Sequence, residues 1–242
     1  MMMNATEFVD RAVSIACDYK TLYVMGCFGA PMTAANKERY IQHHEYNRRP
    51  GPKAAIMAAS ADTFGFDCVC LIKGILWGWN GNKNAVYGGA VYCSNGVPDI
   101  GADSIINVCS SVSTTFRAAD MVPGELLWKS GHVGIYIGDG RAVECTPAWA
   151  NCVQITDVAN ILSTGDRPSR TWTKHGRLPY VVYDTLPFVD VKPSNWFYDA
   201  VATVYRNSIM VGTDSTHFSP NSTLTRAQLA HIITNLIERY HK

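Results

Sequence analysis

Apolar and polar positions follow two different periods along this chain, and the places where the period changes divide it into regions. Near the start, Thr6 is followed by Phe8, Val9, Ala12, Val13 and Ala16, a spacing that predicts a capped amphipathic helix ending before the turn-rich Gly26-Cys27-Phe28-Gly29-Ala30-Pro31. The stretch up to Ser60 is polar. Within it, residues 36–52, with His43-His44 and Arg48-Arg49-Pro50-Gly51-Pro52, read as a long irregular surface insertion placed to border a substrate groove. A second helix is predicted where Asp67-Cys68 opens the apolar run 69–77, followed by glycine- and asparagine-rich punctuation as far as about residue 112. Downstream the period falls to two: runs 125–128, 132–137, 141–146, 153–155 and 178–183 are short β-prone segments separated by turns. Helices upstream and strands downstream predict an α+β class.

From Phe188 the helical period returns. Thr225-Arg226-Ala227-Gln228 is a capping box, and Leu229, Ile232, Ile233, Leu236 and Ile237 fall on one face of the helix it starts. An earlier helix from about Trp196 presents Val201, Val204 and Tyr205. The chain therefore divides into 1–184 and 185–242. The second piece is too small for a large core, so it is expected to pack on the first, on copies of itself, or on both.

Candidate chemistry gathers in the first piece. A thiol at a helix N-terminus meets unpaired N–H groups and the positive dipole end, which favour thiolate, so the Cys68 pKa is expected to fall below the usual value of about 8.5. In Ser130-Gly131-His132-Val133-Gly134-Ile135-Tyr136-Ile137-Gly138, alternation places His132 near the start of a half-buried strand. The next run, 141–146, begins after Gly138-Asp139-Gly140 and carries Glu144, so two antiparallel strands bring residues near Gly131 opposite residues near Glu144. That geometry permits a Cys68, His132, Glu144 triad in which the imidazole takes the thiol proton and the carboxylate fixes its tautomer.

Composition narrows the alternatives. The 242 residues are 47% hydrophobic with a formal charge of +1, which argues against binding nucleic acid through bulk charge, and no apolar run reaches the roughly 20 residues of a membrane span. The opening residues 1–8 lack a basic region followed by an apolar core, so no signal peptide is expected, and the protein should accumulate in a cytoplasm. Eight cysteines spread along such a chain are expected to be reduced and mostly buried. Cys68, Cys70, Cys145 and His132 lack paired spacings such as Cys-x2-Cys, so neither a metal site nor a cofactor is expected.

Three blocks together, Phe66-Asp67-Cys68-Val69-Cys70-Leu71, Pro123-Gly124-Glu125-Leu126-Leu127 and the His132 strand, resemble the NlpC-type cell-wall cysteine peptidases over roughly 21–183. The resemblance implies a papain-like fold that hydrolyses amide bonds of peptidoglycan stem peptides. It implies Cys68 as nucleophile, His132 as base, Glu144 where the family often has a second histidine, and Tyr23 near the thiolate. Cys70 stands where the family usually has glycine, with no chemical role. From Phe188 onward, Phe188-Val189-Asp190-Val191, Trp196-Phe197-Tyr198-Asp199-Ala200, Ile209-Met210-Val211-Gly212, Phe218-Ser219-Pro220 and Leu224-Thr225-Arg226-Ala227-Gln228 are similar to one S-layer homology motif. Such motifs bind secondary polymers of Gram-positive walls, usually as three copies. Asp190, Trp196, Gly212 and Arg226 match positions associated with that binding, and Gln228 replaces the usual glutamate.

The combined expectation is an endolysin-like, bacteriolytic peptidoglycan hydrolase made without a signal peptide. It would act at the wall after release and be anchored there by a motif through which several chains can associate. Alternatives from other classes are an N-acetylmuramoyl-L-alanine amidase, a wall-binding protein that recognises stem peptides without cutting them, and acyl transfer on a lipid.

Overall fold

The computed structural model describes residues 2–118, 120–183, 186–192, 195–206 and 209–240. The chain forms two compact units, Met1–Tyr183 and Asp184–Lys242. The first is mixed α and β. After a two-residue strand β1 (Met3–Asn4), helix α1 (Ala5–Asp18) is capped by Asn4, whose side chain accepts from the Glu7 N–H at 2.8 Å, and not by Thr6 as the spacing predicted. Its apolar stripe of Phe8, Ala12 and Ile15 is fully buried.

Three short strands form a small sheet in the order β2 (Thr21–Tyr23), β4 (Phe64–Phe66), β3 (Phe28–Pro31). Between β3 and β4 the expected irregular insertion is helical: α2 (Ala34–His43), α3 (Glu45–Arg48) and α4 (Pro50–Ala58). Local chemistry explains the difference. The Thr33 hydroxyl caps α2 by accepting from the Asn36 N–H, and Pro50 occupies the first turn of α4, where its missing N–H costs nothing. Asn47, fully buried, accepts from the Met25 N–H at 3.0 Å and donates to the carbonyls of Met25 and Tyr40. A polar sequence is thereby ordered by one buried amide together with a few apolar anchors, Tyr40 of α2 and Ile56 of α4, which are buried in a small cluster with Val24, Ala30 and Met32.

Helix α5 (Cys68–Leu76) leaves β4 directly, and all nine of its residues are buried. It packs on α1, on β3 and on the large sheet. After it come α6 (Ala102–Ile105), a 3-10 turn and strand β5 (Ser110–Ser113). The large sheet is completed by β6 (Leu126–Lys129), β7 (His132–Gly138), β8 (Arg141–Thr146), β9 (Cys152–Val158), β10 (Ser169–Arg170) and β11 (Lys174–Arg177), in the order β10-β9-β8-β7-β6-β11-β5. Strand β12 (Val181–Val182) pairs with β1. The register of β7 and β8, with Ile135 opposite Val143 and Tyr136 opposite Ala142, puts Glu144 level with Gly134 and two residues along the same face from His132. Turn geometry alone had put the carboxylate nearer Gly131.

The second unit has helices α7 (Tyr198–Arg206) and α8 (Arg226–Tyr240). The capping box forms: the Thr225 N–H donates to Gln228 Oε1 at 2.8 Å and the Gln228 N–H to Thr225 Oγ1 at 3.2 Å. Leu186, Phe188, Val191, Tyr198, Val201 and Ala202 make a small core. Of the apolar face of α8, Leu229, Ile233, Leu236 and Ile237 remain 41–51% exposed. Among the described residues no helix is long and apolar enough to cross a membrane.

Candidate active site

Cys68 is the first residue of α5, and Asp67 is its cap. One carboxylate oxygen accepts from the Cys70 N–H and the other from the Gly26 N–H, both at 2.7 Å, tying the helix start to the β2–β3 turn. The thiol is 6% exposed. Burial and the adjacent Asp67 charge push it up to about 12, outweighing the N–H groups of Val133, Val69 and Cys68 that favour the thiolate. The lowered pKa expected from the helix position is therefore corrected. A residue that caps a helix with a carboxylate places its anion beside the thiol, and a sealed core removes the water that would solvate the thiolate. Cys70 serves this turn through its backbone; its own thiol is buried and pushed well above the ordinary value.

Helix α5 packs on β7, the strand that His132 opens, and the Val133 N–H next along that strand is one of the groups that favour the thiolate. His132 Nε2 donates to Glu144 Oε2 at 2.6 Å. Among the described residues Nδ1 has no hydrogen-bond partner, and the Cys68 thiol has no bond to the imidazole. Glu144 is fully buried, and its other contacts are residues that sequence reasoning missed: Arg170 Nε donates to the same Oε2 at 2.7 Å, and the Thr156 hydroxyl to Oε1 at 2.8 Å. Trp172 lies nearly parallel to the His132 ring, 13° off and 5.6 Å between centroids. Thr156 comes from β9 and Arg170 from the edge strand β10. Neither carries a local signal, although an Arg-x-Trp pair in an otherwise polar segment was there to be noticed.

Tyr23, at the end of β2, pairs in register with Phe66, two residues before Cys68. Its hydroxyl is raised by burial first and then by the charges of Asp67 and Cys68, and ring and thiol belong to the same buried cluster. The helical insertion reaches this side: Tyr46 meets the Tyr23 ring edge-on at 5.6 Å, and the Arg49 guanidinium lies over Tyr46 at 5.4 Å. Opposite, the loop after β8 hands its Asn151 carbonyl to the Tyr23 N–H at 3.1 Å and exposes Trp149. Among the described residues no group of three or more His, Cys, Asp or Glu side chains is arranged to hold a metal ion.

In the second unit the four predicted binding positions have distinct environments. Asp190 accepts from the backbone of Phe218 at 3.0 Å and Ser219 at 2.8 Å, bonds that hold its carboxyl below the usual range, so it braces a loop. Trp196 is 93% exposed. A Cβ on Gly212 would lie 2.4 Å from the Phe188 ring and 2.5 Å from the His217 carbonyl, so only glycine fits there. Arg226 is exposed at the first position of α8. A groove of about 590 Å³ runs between the 209–224 loop and α8, lined by Gly212, Phe218, Leu224, Gln228, His231 and Asn235. Of the four predicted positions it includes Gly212 alone.

Comparison with known proteins bears on this unit. Residues 187–230 match the model of the S-layer homology domain. They are an S-layer homology domain. A 51-residue stretch is 43% identical to the surface-layer 125 kDa protein of Lysinibacillus sphaericus, covering 21% of this chain and 4% of that protein. Similarly, 51 residues are 35% identical to an endoglucanase of Bacillus sp. (strain KSM-635), covering 21% of this chain and 5% of the enzyme. The matched stretch thus spans about a twentieth of the length of these relatives.

Proposed function

We propose that the first unit is a cysteine peptidase acting on peptidoglycan stem peptides and that the S-layer homology domain anchors it to a wall polymer. The observation that carries the catalytic part is the convergence on β7: the helix that begins with the Cys68 thiol packs on this strand, and the strand's first residue is an imidazole whose Nε2 is held by a buried carboxylate at 2.6 Å. That bond leaves the Nδ1 lone pair of His132 available as a base. Because the thiol rests neutral, its proton passes to Nδ1 as sulfur attacks, with the thiol–imidazole contact tightening in the substrate complex. The S–C bond forms, the carbonyl becomes an oxyanion, the C–N bond breaks, and the imidazolium returns the proton to the leaving amine. Water, deprotonated by His132, then hydrolyses the thioester and regenerates the thiol. N–H groups at the start of α5 suit the oxyanion.

Anchoring draws on the family match and on exposed Trp196 and Arg226, an aromatic face and a cation suited to an anionic saccharide. The uncovered apolar face of α8 supports self-association through this unit; a monomer at micromolar concentration in sedimentation equilibrium would remove that part.

The test is mass spectrometry of fragments released from purified Gram-positive sacculi by wild type and Cys68→Ala. New stem-peptide amines made only by wild type identify an endopeptidase, and freed lactyl-muramic ends an amidase. Release by neither refutes hydrolysis and favours binding without cleavage. Deletion after Tyr183 should abolish sedimentation with sacculi while retaining cleavage of soluble peptides; unchanged sedimentation would refute the anchor.

A further inference from the structure

Arg170 is bound more elaborately than a surface arginine needs to be. Its Nε shares Glu144 Oε2 with His132 Nε2, at 2.7 and 2.6 Å, so the oxygen that orients the imidazole is itself fixed by a guanidinium. Its Nη2 donates to the Thr146 hydroxyl at 3.3 Å. The guanidinium lies between two indoles, 4.8 Å from the centroid of Trp149 and 5.8 Å from that of Trp172.

Trp172 in turn stacks on His132. Its pose depends on Gly134, where a Cβ would stand 2.9 Å from the indole edge, and on Asn160, which accepts from the Trp172 N–H at 2.8 Å and donates to its carbonyl at 3.0 Å. Among the described residues the indole N–H is buried without a partner, so no hydrogen bond of its own fixes the pose, which is set by packing against the imidazole and guanidinium. Residues 169–172 form a strap whose base is secured by strand β10, with Ser169 opposite Asp157 and Arg170 opposite Val158.

We propose that Arg170 is a positioning residue for the imidazole: it locks Glu144 Oε2 onto His132 Nε2, and the strap it belongs to clamps the ring plane through Trp172. The role rests on the catalytic reading above but has its own readout. A planar fork with a fixed Nε can hold one carboxylate oxygen in place while leaving its second lone pair to the histidine. A lysine supplies the charge without that geometry. Arg170 touches no reacting atom and acts through Glu144.

The test uses the full chain with Arg170→Lys and Arg170→Met, reading three quantities: the His132 tautomer by long-range proton–nitrogen NMR, kcat and KM on soluble wall fragments, and the melting curve. Wild type should show the Nε2–H tautomer. Arg170→Lys should stay folded, keep KM, lose roughly 10-fold in kcat and show a mixture of tautomers; Arg170→Met should lose more, within the roughly 10- to 100-fold range typical of groups that orient a histidine through its second nitrogen. A folded Arg170→Lys with wild-type kcat and a pure Nε2–H tautomer would overturn the assignment, as would a loss confined to KM. If wild type cleaves nothing while the tautomer still shifts on substitution, positioning stands and the hydrolase reading falls.

Discussion

Replacing Glu144 by glutamine isolates the charge at the centre of the site from its shape. The amide can keep its oxygen towards His132 and Arg170 and turn its NH2 group to the Thr156 hydroxyl, which can accept, so all three contacts at 2.6, 2.7 and 2.8 Å survive, those to His132 and Thr156 in neutral form and that to Arg170 with the charge on the donor alone. What is lost is the ionic part. Hydrogen bonds to charged groups contribute about 1.5–3 kcal/mol against about 0.5–1.5 for neutral ones, so two weakened bonds cost roughly 2–3 kcal/mol. Arg170, with a side chain only 15% exposed, also loses its counter-ion. For a unit of this size each kcal/mol corresponds to about 2–4 °C, so the first unit should melt roughly 4–12 °C lower, followed by tryptophan fluorescence because Trp172 and Trp149 report on this region. Glu144→Ala should be worse, by about 3–5 kcal/mol in all, since it strands the guanidinium. A double-mutant cycle with Arg170→Met should give a coupling of about 1–3 kcal/mol. A Glu144→Gln shift below 1 °C, or an alanine variant no worse than glutamine, would refute the buried carboxylate network.

Gly134→Ala should push the Trp172 edge off His132 and cost about 1–3 kcal/mol by overpacking, with kcat falling more than KM rises; wild-type stability in urea denaturation would contradict the close approach. His175 is buried with Nδ1 on Glu125 Oε2 at 2.7 Å and Nε2 on the Thr115 carbonyl at 3.0 Å. Burial opposes its charge, but those two bonds and the Glu125 and Asp120 charges prevail and raise its pKa above 6.5. The stabilisation is then complete below about 6.5 and declines as pH rises through the raised value, at up to about 1.4 kcal/mol per pH unit; His175→Gln should abolish that slope in urea titrations. Burial first, with neighbouring charges, raises the thiols of Cys27 to about 11 and of Cys68 and Cys109 to about 12. Stability should therefore fall above the unfolded thiol value of about 8.5, and in a substrate-free iodoacetamide map at pH 7.5 exposed Cys17 and Cys93 should react before Cys68. Faster labelling of Cys68 would contradict a neutral resting thiol.

What the sequence disclosed and what it hid follow from how local each cause is. The β7 and β8 strands and the α5 cap were legible because alternation, a Gly-Asp-Gly turn and an Asp-Cys entry act within a few residues. The capping box of α8 was legible for the same reason. Strand β11 was not: its Lys174-His175-Gly176-Arg177 sequence has no apolar alternation, because its inward residue is a histidine satisfied by Glu125. The small sheet of β2, β3 and β4 escaped because three or four residues cannot display a period. The helices of the insertion escaped because only isolated apolar anchors, Tyr40 and Ile56, and the buried Asn47 amide hold them, too few to display a helical period. Thr156, Arg170 and Trp172 reach the site only through strand pairing and the strap. Glu144 could be picked from the sequence, but the groups that hold it could not.

The thiol pKa ties these observations to mechanism. Asp67 makes the helix start possible by accepting two N–H groups, and the same carboxylate, with burial, keeps Cys68 protonated. A site built on a preformed thiolate would need a less acidic neighbour or more water. On the hydrolase reading proposed above, this one suits a thiol that stays inert until an imidazole accepts its proton during attack. That demand explains why so much structure converges on His132: a carboxylate on Nε2, a guanidinium and a hydroxyl on that carboxylate, and an indole on the ring face. On that proposed reading the orientation of His132 must supply the reactivity that the helix end does not, and the close approach at Gly134 and the indole N–H of Trp172, without a partner among the described residues, are costs that such an orientation would account for.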